Sequence, residues 1–266
     1  MKRVRRVYII LILAVFLFTA CQWHLPIDGE DTRVSVERYD RAQSLYLTSA
    51  DYSALQQMNI RYPMQTRMLI EDVLKIGHVS DPDINSKLLY FYRDSILQSL
   101  ISDVEYQYAN VDDINNAFTS AFKRLREHLQ DIPLPNVYTQ IGALNQSVVI
   151  SDSLIGISLD KYLGADYPLY AQYYPKSQRD MMTREMIVPD CLVFYILSFY
   201  PLPEADATSH EEADLHMGKI QWLVNKVMGK KVFDNKDMRR VEQFMRTHKD
   251  VSAEQLLADY TYVNLF

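Results

Sequence analysis

Val137-Tyr138-Thr139-Gln140-Ile141, Ser147-Val148-Val149-Ile150 and Leu154-Ile155-Gly156-Ile157-Ser158-Leu159 are short β-branched runs set apart by Gly, Asn, Asp and Ser. Such residues fit a pleated, half-buried surface and such spacers make turns, so the stretch near 137–160 predicts a small meander of strands. The rest of the body carries apolar residues at helical spacing, and the predicted fold class is therefore α+β, mostly helical. Only seven glycines occur in 266 residues. That scarcity disfavours a barrel or sandwich with many tight turns, and it removes the glycine-rich loops that cradle phosphates.

Upstream, Leu45, Tyr52, Leu55, Met58, Met68, Leu69, Val73 and Leu74 recur at helical intervals between Val36 and Ile76. They predict two helices, broken near Tyr62-Pro63 and stopped at Gly77. Asp83 to Tyr106 reads as a third helix with an apolar stripe through Leu88, Phe91, Ile96 and Leu100. Val111 to Leu129 reads as a fourth, capped by Asp112 or Asp113 and closed before Pro133 and Pro135. Downstream, Lys176 to Phe199 is predicted helical with a kink at Pro189, which lacks an amide hydrogen. Glu204 to Asp214 reads as an acidic loop, followed by helices over Leu215 to Met228 and Asn235 to Tyr260.

The amino end reads as an address. Lys2-Arg3-Val4-Arg5-Arg6 precedes an apolar run from Val7 to Phe18 that suits a signal-peptide core and is too short to span a bilayer. Thr19 and Ala20 before Cys21 suit a peptidase acting on a lipidated thiol, so 1–20 is expected to be a lipoprotein signal peptide and Cys21 the acylated amino terminus. Each buried acyl methylene contributes about 0.8 kcal/mol, so several chains anchor stably to the bilayer where one does not. Residues 21–35, with Pro26, Gly29 and three nearby acids, read as a tether, and 36–266 as a single domain.

Of 28 basic and 34 acidic residues, four basic ones lie within 1–20, which leaves a formal charge of −10 after processing. No basic face remains to release counterions, so nucleic acid is not an expected partner. Cys191 is then the one thiol besides the acylated Cys21, and no intramolecular disulfide is expected.

Motifs that carry chemistry are sparse. His210-Glu211 with His216 fails the zinc spacing H-E-x-x-H, because a six-residue interval rotates the second histidine by about 240° around a helix. Asp81-Pro82-Asp83-Ile84-Asn85 starts like a calcium loop, but Ser86 replaces the turn glycine and Tyr92 the bidentate carboxylate, so a turn and helix cap is the better reading. No G-x-S-x-G elbow occurs. Cys191 beside Asp190 on an apolar helix reads as a small buried hydrophobe. Charged and aromatic groups concentrate after the last strand, in Leu159-Asp160-Lys161-Tyr162-Leu163-Gly164-Ala165-Asp166-Tyr167-Pro168-Leu169-Tyr170. Asp160, Lys161, Tyr162, Asp166 and Tyr170 are the candidate binding residues there, against the alternative of a satisfied structural turn.

Read in order, Val36-Glu37-Arg38-Tyr39-Asp40, Arg61-Tyr62-Pro63, Val73-Leu74-Lys75-Ile76-Gly77, Pro135-Asn136-Val137-Tyr138-Thr139, Gly156-Ile157-Ser158-Leu159-Asp160-Lys161-Tyr162-Leu163-Gly164 and Ile187-Val188-Pro189-Asp190 resemble the gliding motility lipoprotein GldB family of Bacteroidota. The resemblance runs from about Val36 to Lys219 and implies a lipid-anchored envelope protein that faces the periplasm and has an envelope protein partner. It also implies a zincin-like body, in which Arg184-Glu185-Met186-Ile187-Val188 would occupy the place of H-E-x-x-H. Arg184 and Val188 would then replace both histidine ligands, leaving Glu185 as a former general base. The expected function is a non-catalytic interaction or scaffold protein with no cofactor. The opposing expectation is a metal-dependent hydrolase that uses Glu185, Asp190 or Asp160, with His210 or His216 as distant ligands.

Overall fold

The computed structural model describes residues 33–202 and 209–259. Its sheet has three strands, β1 (Asn136–Gln140), β2 (Val148–Ser151) and β3 (Leu154–Ser158). The order is β1-β3-β2, with β3 parallel to β1 and antiparallel to β2. The predicted meander is thus corrected to a mixed sheet. Two residues, Asp152 and Ser153, suffice to turn β2 into β3, whereas 141–147 must carry the chain across the end of β3, two strand spacings of roughly 4.8 Å each. Asp160, just past β3, consequently lies beneath that crossing. In the β1–β3 register Tyr138 stands opposite Gly156, and a side chain on Gly156 would collide with the Tyr138 phenol. The β1 edge is covered by Glu37, whose N–H donates to the Val137 carbonyl and whose carbonyl accepts from Thr139 N–H. Val34 and Val36 are buried, and their N–H groups donate to Thr119 and Asn115, so packing of the body already includes residue 34.

Helices α1 (Tyr39–Ser49), α2 (Tyr52–Ile60) and α3 (Pro63–Arg67) precede the sheet, and α3 continues as a π-helical stretch, Met68–Leu74. The expected break at Tyr62-Pro63 is present, with Pro63 in the first turn of α3. A further break falls at Ala50-Asp51, because Ala50 adopts a left-handed cap and the Asp51 carboxylate accepts from Ala54 N–H. The third predicted helix is likewise two, α4 (Ile84–Tyr92) and α5 (Ser95–Gln107), divided where Asp94 turns extended and its side chain accepts from Ile96 N–H at 2.8 Å. Helix α6 (Asp112–His128) has the expected span, but neither Asp112 nor Asp113 caps it: Val111 is the N-cap, without a side-chain bond, and the two acids lie in the first turn.

After the sheet come the one-turn helices α7 (Tyr170–Tyr173) and α8 (Lys176–Arg179), then α9 (Ile187–Phe199). Pro189 does not kink α9. It is the third helical residue, where an amide hydrogen has no intrahelical acceptor to lose. Helix α10 (His210–Met228) begins five residues before its predicted start, since Ser209 and Glu212 form a reciprocal capping box. The last predicted helix is divided into α11 (Lys236–Thr247) and α12 (Ala253–Ala258), the latter opened by a second such box from Ser252 and Gln255. No described helix is long and apolar enough to cross a membrane.

Helix α1 packs on β1 and α9 on β2 and β3, which buries the sheet inside the helices. Phe118, Phe122 and Tyr195 continue the core as an aromatic series from α6 to α9, with Phe122 and Tyr195 edge to face at 5.8 Å. The body is therefore α+β and mostly helical, and the zincin-like arrangement that the resemblance implied is not supported. Arg184–Met186 is a 3-10 turn ahead of α9, not part of an active-site helix, and Arg184 is bound to Asp113 at 2.6 Å.

Candidate functional site

The segment after β3 is built from the inside outwards. Leu159–Lys161 forms a 3-10 turn, and the Asp160 carboxylate below the crossing loop accepts from Gly142 N–H at 2.7 Å and Leu144 N–H at 2.6 Å. The loop needs this support. Ala143 and Leu144 both adopt positive φ, 52° and 62°, in a tight turn closed from Asn145 N–H to the Gly142 carbonyl. Left-handed backbone costs side-chain-bearing residues about 1 kcal/mol each. Gln43, fully buried on α1, clamps the preceding Ile141 through both its carbonyl and its N–H, and the Tyr92 hydroxyl donates to the same carbonyl at 2.6 Å. Burial pushes the Asp160 carboxyl up from the ordinary carboxylate range, and the two loop N–H bonds oppose that rise.

The same knot absorbs most of the predicted binding residues. Tyr170 is fully buried, donating to the Asp160 carbonyl and accepting from Leu163 N–H. Tyr162 is buried as well; its carbonyl accepts from Tyr108 and its hydroxyl donates to Asp190 at 3.0 Å. Lys161, 7% exposed, donates to the Leu144 carbonyl and the Tyr174 hydroxyl and lies over the Tyr174 ring. Asp166 alone of the five is exposed.

The outward wall of this segment is Tyr167, Pro168, Leu169 and Gln172, which with Ile96, Ser99 and Asp103 of α5 line a cleft of about 540 Å³. The Tyr167 hydroxyl donates to Asp103 at 2.7 Å and fixes that wall to α5. Ser95 also borders a second, larger cleft of about 960 Å³, lined by Ile76, Tyr90, Phe91 and Arg93 among others. The lining of the larger cleft is mostly apolar, and Tyr90 and Ile96 are 63% and 48% exposed. Ile76 is held in place by a tight loop. Gly77 has φ +150° and a side chain there would meet the Asp81 carboxylate, while Glu71 accepts from Val79 N–H at 3.0 Å.

The candidate catalytic and metal residues are not brought together. Glu185 is exposed beside the Arg184–Asp113 pair. His210 is exposed, and His216 is buried on α10 with Nε2 2.8 Å from the Tyr200 carbonyl; burial lowers its pKa and favours the neutral ring. Burial also pushes the Cys191 thiol well up, away from the reactive thiolate. Among the described residues no group of three His, Cys, Asp or Glu side chains is placed to hold a metal.

Asp190 sits in the first turn of α9, half-buried, and burial raises its pKa to about 6 from 3.8. Its folded form therefore holds the proton more tightly than the unfolded chain. The contribution to stability is greatest below about pH 4 and is lost as pH rises through 6. Asp190→Asn keeps an acceptor for Tyr162 and removes the charge. It is expected to raise unfolding free energy by about 2 kcal/mol near pH 8 and to leave it nearly unchanged near pH 4. Urea titrations of both proteins at the two pH values check this; an equal effect at both would remove burial of the charge as the cause.

A family model described as gliding motility protein GldB matches residues 20–236. The chain belongs to that family. The matched region contains Cys21, the whole sheet, the Asp160 knot and both clefts, and it ends at the start of α11. It is wider at both ends than the resemblance read from the motifs. No curated protein and no solved structure matches the chain. The family is one of gliding-motility lipoproteins, which places its members among cell-envelope proteins.

Proposed function

We propose that this chain is a lipid-anchored, periplasm-facing, non-catalytic interaction protein of the cell envelope, and that the two neighbouring clefts along α4, α5 and the Tyr167–Gln172 wall dock its protein partner. The observation that carries this reading is the division of labour within one segment. Asp160, Tyr162 and Tyr170 are consumed in buried hydrogen bonds, while their neighbours Tyr167, Pro168 and Leu169 line a cleft with exposed Ile96, and exposed Tyr90 lines the cleft that shares Ser95 with it. A rigid wall of this kind loses little conformational entropy on binding, and exposed aromatic and aliphatic groups grouped in a concave surface are the usual anchors of an interface. Asp166, exposed at the edge of the segment, belongs to the rim of the proposed surface.

A photoreactive phenylalanine analogue placed at Ile96, in the full anchored chain within its own envelope, tests the docking reading. Irradiation is expected to join Ile96 to one envelope protein, with no such product from the same analogue at Ile60, which is 77% exposed but outside the clefts. Equal products from both positions, or none from Ile96, would overturn it.

A further inference from the structure

The larger cleft has an uneven charge arrangement. Lys87 is 3.0 Å from Asp83 and 3.5 Å from Asp81, and the Asp94 carboxylate is turned to the Ile96 N–H. Arg93 differs. Its guanidinium lies 3.7 Å from the Tyr90 ring centroid, and no carboxylate pairs with it among the described residues. Stacking on an aromatic face restrains a guanidinium while leaving its N–H fork open at the edge, and that fork matches a carboxylate in two parallel hydrogen bonds. Beside it stand the apolar surfaces of Ile76, Tyr90 and Phe91.

From this geometry we propose that the cleft takes a peptide segment of the partner bearing one carboxylate next to an apolar side chain, the carboxylate on Arg93 and the apolar group against Ile76, Tyr90 and Phe91. The inference rests on the docking reading above and names the chemistry of its occupant. Charge complementarity limits that occupant to a single acid. The lining holds two cations, Lys87 and Arg93, against two acids, Asp83 and Asp94, so a polyanion would meet repulsion once Arg93 was paired. Two neighbouring clefts that share Ser95 suit an extended chain better than a compact small molecule.

The test uses the Ile96 photoreactive chain in its own envelope, with the joined segment sequenced by mass spectrometry. The expected segment contains an Asp, a Glu or a chain terminus within a few residues of an apolar side chain at the point of attachment. Arg93→Gln is expected to lower the yield about tenfold, and Arg93→Lys to restore it only partly because an ammonium lacks the planar fork. The thermal midpoint of both variants, unchanged from the parent, shows that the exposed substitution has left the fold intact. A partner segment without an acid, a yield indifferent to Arg93, a product with lipid, or a product with a second copy of this chain each overturns the proposal while leaving a product to explain. Loss of any product from the parent chain removes the docking reading itself, and this inference with it.

Discussion

Asp160→Ala is expected to lower the unfolding free energy by about 3–5 kcal/mol, a large part of the roughly 5–15 kcal/mol that a domain typically has. The replacement leaves the Gly142 and Leu144 N–H groups without their acceptor in a largely buried place, and each orphaned donor costs about 1–3 kcal/mol. The turn cannot relax cheaply to find new partners. Ala143 and Leu144 are already left-handed, and Ile141 ahead of them is pinned by Gln43 and Tyr92. Asp160→Asn separates the parts of this cost: it preserves volume and one acceptor but turns an NH2 group toward a backbone donor, and an intermediate loss is expected. Urea titration near pH 7 measures all three proteins. A loss within 1 kcal/mol for alanine would show that the loop holds itself. Because Tyr170 is bonded to the same residue's carbonyl, the loss is also expected to loosen the Tyr167–Leu169 wall and cut the Ile96 photoproduct even where the protein is still folded.

The sequence singles out the segment after β3, and the structure buries Asp160, Lys161, Tyr162 and Tyr170 there while leaving Asp166 exposed. A charged pair inside an apolar run after a strand draws attention to Asp160 and Lys161, yet whether such groups face water or a loop depends on contacts remote in the chain. Gln43 and Ile141, which frame the crossing, are 98 residues apart, and no local period reports that pairing. The parallel register of β1 and β3 is equally invisible to composition, since either strand order has the same alternation. The cleft was missed for a different reason. Phe91 and Ile96 count as one apolar stripe if Asp83 to Tyr106 is a single helix, and only the break at Asp94 turns Ile96 outward to 48% exposure. That break had a readable signal, an Asp ahead of Ser95 and Ile96 in the N-cap position. Ser209 with Glu212 gave the true start of α10 in the same way. His210 and His216, six residues apart, are respectively exposed and buried on α10.

Cys21→Ala is expected to abolish fatty-acid labelling and to move the chain from the membrane fraction to the soluble fraction, or to leave it with an uncleaved signal. Cys21 lies within the family match and outside the described residues, so the expectation rests on the sequence around it and on the family. The effect should be close to all-or-none. One acyl chain binds a bilayer only marginally, and the thiol and amino group of this cysteine together would carry several, so losing the residue removes every chain at once. The variant also separates anchoring from folding. Residue 21 lies ahead in sequence of the unit that begins at Arg33, and the unfolding free energy of that unit is expected to be unchanged in a chain cut after the signal. Partner capture at Ile96 should nevertheless fall, because a chain confined to the membrane meets an envelope partner at a far higher effective concentration than one free in the periplasm. Adding the free chain at high concentration should restore the Ile96 product. Restoration would assign the anchor a concentrating role and the cleft the recognition, whereas no product at any concentration of the free chain would move recognition toward the bilayer itself.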